Sequence, residues 1–165
     1  MISMSIVASP GAAAGYFAKD NYYTREEGEA HSEWVGTLAR EIGLKGRVDP
    51  SGFRSLLSGE IGGQQLGRVV TDPSGLPRRE QRAGYDITFS APKSVSILAE
   101  VFGRSDVRAA HDAAVRTTLA VIERDIVRVR GTQDGVTISA LTGRAIFALF
   151  HHNASRIDAH SLPAQ

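Results

Sequence analysis

Apolar and polar residues alternate from the start of the chain: Ile2, Met4, Ile6 and Ala8 share one side, Ser3, Ser5 and Val7 the other. That period of two predicts a strand over residues 2–8. Pro10 and Gly11 end it, and Ala12 to Ala18 suit a short helix carrying Tyr16 and Phe17. In SEWVGTLAREI, residues 32–42, Trp34, Leu38 and Ile42 form the apolar stripe of a helix, with Gly43 as its stop. Asp49-Pro50 reads as an N-cap and first helical residue, opening a short helix through Leu57. Residues 59–84 are rich in Gly, Pro and Arg and predict a weak strand or hairpin with exposed loops. Alternation returns in Tyr85 to Ser90, with Tyr85, Ile87 and Phe89 on one face and Asp86, Thr88 and Ser90 on the other. Ser90 suits the N-cap of a helix over Pro92 to Val101. The clearest helix runs from Asp106 to about Arg130, with Val115, Leu119, Ile122, Ile126 and Val129 on its stripe. Val136 to Leu141 and Arg144 to His152 predict two strands joined by a tight turn at Thr142-Gly143. The second is apolar on both faces until its end, the pattern of a central strand.

This order of elements predicts an α+β fold, a mainly antiparallel sheet with helices packed on one face. The 165 residues suit a single domain or a piece of a larger one. With 42% hydrophobic and 22% charged residues, the composition is that of an ordinary globular protein. A net charge of +1 gives no global field, so any basic surface must be local. The absence of cysteine excludes disulfides and thiolate metal sites and suits a reducing cytosol. No stretch is long and apolar enough to span a membrane, and the amino terminus lacks a signal-peptide pattern. The expectation is a soluble, cytoplasmic protein.

Candidate chemistry falls at four places. Asp86 projects from the polar side of its strand, where a carboxylate is ordinarily a solvated group and alternatively a base or the group that orients a histidine. Parity places His152 with Ile146, Ala148 and Phe150 and His151 on the opposite side, so the adjacent pair cannot reach one ion from a regular strand. GYFAKDNYY, residues 15–23, holds three of the four tyrosines. They are either core or interface groups, or phenolic nucleophiles for a phosphodiester. Arg68, Arg78, Arg79, Arg82 and Lys93 can line a phosphate-binding surface, or simply a solvated face interrupted by Glu80.

Taken in order, these motifs resemble the amino-terminal part of MobF-type conjugative relaxases, the TraI/TrwC family of histidine-hydrophobic-histidine endonucleases. The resemblance is carried by the GAAxxYF and KDNYY segments, by EGEAHSEWVGTLAREIGLKGRVDPSGFRSLL, by GYDITFSAPKSVSILAEVFG, by AAHDAAVRTTLAVIE and by LTGRAIFALFHHNASR. It implies a partial relaxase palm and a tyrosine that attacks one strand at a plasmid transfer origin, leaving a 5′-phosphotyrosine link. It further implies three histidines holding a divalent metal (Mg, Mn or Zn), with single-stranded or hairpin DNA and relaxosome proteins as partners. By match, Tyr16 stands at the first nucleophile, Phe17 replaces its neighbour, Tyr22 and Tyr23 form the second pair, Asp86 is the aspartate and His152 the first metal ligand. Arg78, Arg79, Arg82 and Lys93 are the expected DNA-binding residues.

The carboxy-terminal run departs from the family. Where it has Leu-His-x-His, this sequence has Leu162-Pro163-Ala164-Gln165, which implies a truncated portion with weak or no cleavage activity. Two alternatives stay open, a non-catalytic single-stranded DNA-binding fragment and a non-functional pseudogene product. Met4 fits the family's beginning slightly better than Met1.

Overall fold

A computed structural model of the chain describes residues 1–7, 32–133 and 136–151. Its strands pair throughout as antiparallel ribbons, and the α+β reading holds. The expected helix at Ala12 to Ala18 lies outside the described residues.

β1 (Ile2–Ile6) pairs with β7 (Tyr85–Phe89), with Ile2 opposite Phe89, Met4 opposite Ile87 and Ile6 opposite Tyr85. These pairs share one face; Ser3–Thr88 and Ser5–Asp86 share the other. The apolar face is not sealed as the alternation predicts. Ile2, Met4, Ile6 and Tyr85 are all exposed among the described residues, while Ile87 and Phe89 are half-buried.

The segment 32–42 corrects the helix expectation. Ser32–Val35 is a strand, β2, and only Thr37–Glu41 is helical, α1. Gly36 separates them with φ +113°, a conformation L side chains rarely adopt, and a Cβ there would lie 2.4 Å from the Ala145 carbonyl oxygen. The stripe of Trp34, Leu38 and Ile42 is therefore split between two elements. β2 pairs with β10 (Phe147–Phe150), Phe147 opposite Val35 and Phe150 opposite Ser32.

α2 (Pro50–Leu57) forms as read, with the Asp49 carboxylate accepting from Gly52 N at 2.6 Å and from Ser51 Oγ at 2.7 Å. Those donors, the Gly52 amide foremost, hold the Asp49 carboxyl below its usual range. The Gly-rich region resolves into two small hairpins. They are β3 (Glu60–Ile61) with β4 (Gln64–Gln65), and β5 (Arg68–Thr71) with β6 (Pro77–Glu80).

α3 (Lys93–Ser96) continues as a wider turn over Ile97–Val101, where Phe102 N donates to Ile97 O at 3.2 Å. Its cap position is Pro92, without a side-chain cap, so Ser90 is not the N-cap. The long helix α4 spans Ser105–Asp125, ending earlier than its periodicity suggests. Beyond it Arg128–Gln133 is a strand, β8, paired with β9 (Val136–Leu141). Val115 and Leu119 are buried, whereas Ile126 and Val129 are 62% and 55% exposed, because they have left the helix face. The hairpin expected at Thr142-Gly143 is likewise corrected. That dipeptide links β9 to β10, but β9 pairs with β8 and β10 with β2.

The main core sits where these pieces meet. Trp34, Ala39, Val48, Phe53 and Leu57 are buried together, and Val7, Ala83, Ile146, Ala148 and Phe150 pack against them. Phe53 is the hub, with Trp34 at 6.4 Å and Phe150 edge-on at 5.5 Å between ring centroids.

One carboxylate fastens the junction of β2, α1 and β10. Glu123 on α4 accepts from Thr37 N at 2.6 Å and from Ala145 N at 2.8 Å, both partly buried. Arg144 adds a two-pronged contact to Glu41, Nε to Oε1 at 3.2 Å and Nη2 to Oε2 at 2.5 Å. Replacing Glu123 by Ala strips both amides of their acceptor and is expected to destabilise the fold by about 2–3 kcal/mol. Chemical denaturation measures it, and a change below about 0.5 kcal/mol would show that water satisfies the amides equally well.

Candidate functional site

Asp86 stands on the polar face of the β1–β7 ribbon, half-buried and opposite Ser5. The alternation of Tyr85 to Ser90 orients it, and β1 holds its strand at every position from Phe89 to Tyr85. One end of the ribbon is closed by Val7 N donating to Gly84 O at 3.1 Å, the other by Ser90 N donating to Met1 O at 2.9 Å.

Tyr16, Tyr22 and Tyr23 lie outside the described residues, in the segment that follows Val7 and precedes Ser32. The described residues define where that segment departs and where it returns. It departs from Val7, beside Gly84 at the Asp86 end of β7, and it returns at Ser32, directly opposite Phe150. Val7, Ala83 and Phe150 all pack on the same buried cluster around Trp34 and Phe53. The residues next to the aspartate strand and the end of the histidine strand thus pack on one core, as does Val7, from which the tyrosine segment departs.

His152 also lies outside the described residues, but His151 does not. Its imidazole sits between two carboxylates, Nδ1 3.6 Å from Asp112 on α4 and Nε2 3.8 Å from Glu33 on β2. Glu33 is in turn engaged by Arg116 of α4. This network ties the end of β10 to the long helix. None of its acidic or basic members was singled out from sequence. Its only signal there was the side of the strand on which His151 falls.

The basic candidates are dispersed. Arg82 is exposed, donates from Nη1 to the Tyr85 phenolic oxygen, and lies with its guanidinium 5.4 Å from that ring's centroid. Lys93 is exposed at the first position of α3. Arg78 and Arg79 are on β6, opposite Val70 and Val69 of β5, and their side chains lie outside the described residues.

Among the described residues no group of three or more His, Asp or Glu side chains is arranged to hold a metal. The carboxy-terminal run lies outside the described residues, and its donor set is read from the sequence. Of the three histidine positions the resemblance implies, it would assign one to His152, and Pro163 and Gln165 stand where it implies the other two. A proline ring offers no donor and a neutral amide is a poor substitute for imidazole, so these residues do not fit a three-histidine centre.

Comparison with known proteins bears on all of this geometry. The family pattern described as TrwC relaxase matches residues 10–161. The chain is 40% identical over 158 residues to the multifunctional conjugation protein TraI of Escherichia coli, a match covering 94% of this chain and 8% of that protein. It superposes on the conjugative relaxase TrwC in complex with OriT DNA, metal-free, with TM-score 0.74 and 38% identity, covering 94% of this chain and 51% of that one. A metal-bound structure of TrwC with OriT DNA matches with TM-score 0.71 and 38% identity, covering 92% of this chain and 50% of the other. The chain therefore spans about half the length of the solved relaxases and a small part of the curated relatives.

Proposed function

The chain belongs to the TrwC relaxase family, and on that premise we propose that it is the tyrosine- and aspartate-bearing part of a relaxase domain. It engages one strand at a plasmid transfer origin, with weak or no cleavage by residues 1–165 alone. The observation that carries this reading is the packing of Val7, Ala83 and Phe150 on one core. It anchors the strands that precede and follow the tyrosine segment to the same buried cluster.

In the reaction the family performs, a tyrosine phenolic oxygen attacks phosphorus, the bond to the 3′-oxygen breaks, and that oxygen leaves as a hydroxyl. Tyr16 is the proposed nucleophile, with Tyr22 and Tyr23 serving a later strand transfer. Asp86 is proposed to receive the phenolic proton or to orient an imidazole, a role its half-buried position on the polar face of the ribbon supports. A divalent metal would neutralise charge on the phosphate, but the donor set here does not hold one, and weak activity follows. Arg78, Arg79, Arg82 and Lys93 are proposed to contact the DNA. Single-stranded or hairpin origin DNA is the proposed partner, with relaxosome proteins beside it, in the cytoplasm. No helix among the described residues is long and apolar enough to cross a membrane.

Incubation with end-labelled single-stranded origin DNA and manganese tests the proposal. The expected result is binding that weakens steeply with salt and little or no covalent adduct on denaturing gels. Efficient adduct formation would refute the weak-cleavage claim, and absence of binding at low salt would refute the assignment to DNA.

A further inference from the structure

The β8–β9 ribbon takes no part in the site above. Its strands pair with each other and with no other described strand, and every described side chain on it is exposed. Two strands standing clear of a core are marginal in water, so the surface they display calls for an explanation.

The antiparallel register sorts that surface. Arg128 opposite Leu141 and Arg130 opposite Ser139 share one face, and Val129–Ala140 and Gly131–Ile138 share the other. Five of the exposed arginines on and around α4 and β10 are neutralised. Arg104, Arg108, Arg116, Arg124 and Arg144 each pair with a carboxylate. Arg128 and Arg130 have no carboxylate partner among the described residues. They are two residues apart on one strand, so their side chains start about 6.6 Å apart and lean the same way. Two planar guanidinium forks in a row match successive phosphates of a nucleic-acid strand, and the hydroxyl of Ser139, exposed on β9 opposite Arg130, adds a donor to that face. The base of the ribbon is fixed, since Thr142 N donates to Val127 O at 3.1 Å, just beyond the end of α4.

We propose that the Arg128–Arg130 face of the β8–β9 ribbon is a second contact for the nucleic-acid backbone, binding phosphodiesters without regard to base sequence. It rests on the reading of the chain as a DNA-binding relaxase part and adds a site on a different element from Asp86 and β6.

Fluorescence anisotropy across a salt series tests it, with a single-stranded origin oligonucleotide and a scrambled one of equal length. The proteins are the wild type, Arg128→Ala/Arg130→Ala, Arg128→Lys/Arg130→Lys and Arg78→Ala/Arg79→Ala. The alanine pair on the ribbon is expected to reduce the slope of log affinity against log salt by about 1.4, equally on both oligonucleotides. The lysine pair, which keeps the charge, is expected to hold the wild-type slope. An unchanged slope in the alanine pair, or an equal loss in the lysine pair, overturns the ribbon contact. If the Arg78→Ala/Arg79→Ala protein is weakened in the same series, the function reading survives that failure. No binding by the wild type at low salt overturns both.

Discussion

Replacing Phe53 by alanine is expected to destabilise the protein by about 3–5 kcal/mol, the cost of emptying a large aromatic site in a packed core. Phe53 is 8% exposed and touches both other aromatic rings of the cluster, Trp34 on β2 and Phe150 on β10. Its loss leaves a cavity bordered by three elements that are not consecutive in sequence and cannot close over it locally. Against a typical total stability of about 5–15 kcal/mol, that is enough to unfold a large share of the molecules. The same ring positions the end of β10, so the order of the histidine strand is expected to fall with stability. Urea denaturation followed by Trp34 fluorescence reads the change directly. A loss below about 1 kcal/mol would mean that the stability of the fold resides elsewhere.

The second large effect concerns the carboxy-terminal run. Substituting Pro163→His and Gln165→His together is expected to tighten manganese or zinc binding by roughly 100-fold, since three imidazoles replace one. His-x-His is the arrangement a strand needs to aim two rings at one ion, and removing the proline also restores a backbone donor there. Calorimetric titration of the wild type and the double variant measures the gain. Adding His152→Ala to the double variant is expected to abolish it. Persistence of tight binding without His152 would show that His152 is not the first ligand and that the match in FHHNASR has been misassigned.

Family, fold class and several local elements were legible in the sequence because each rests on short-range rules. Asp49-Pro50 caps its helix through groups at most three residues away, and the alternation of Tyr85 to Phe89 needs no knowledge of the partner strand. GYDITFSAPKSVS identifies the family in the same way, as a contiguous string. The errors occurred where a distant segment decided the outcome. Trp34, Leu38 and Ile42 have helical spacing, yet β10 recruits residues 32–35 as a strand across more than a hundred residues. At the carboxy end of α4, Ile126 and Val129 continue the helical period, but pairing with β9 takes the chain into β8. Asp134-Gly135 was the available signal for that hairpin, being the stronger turn dipeptide than Thr142-Gly143.

The candidate site divides along the same line. Residue types and their order, Pro163 and Gln165 included, are properties of the string of letters, and the chemistry those residues allow follows from their side chains alone. Which strand faces which is not such a property. The pairing of Ser32 with Phe150, the seating of Val7 and Ala83 on the Phe53 core, and the capture of His151 by Asp112 and Glu33 join residues far apart in the chain. Contacts of that kind are selected by burial of the whole hydrophobic surface at once, which no local pattern encodes.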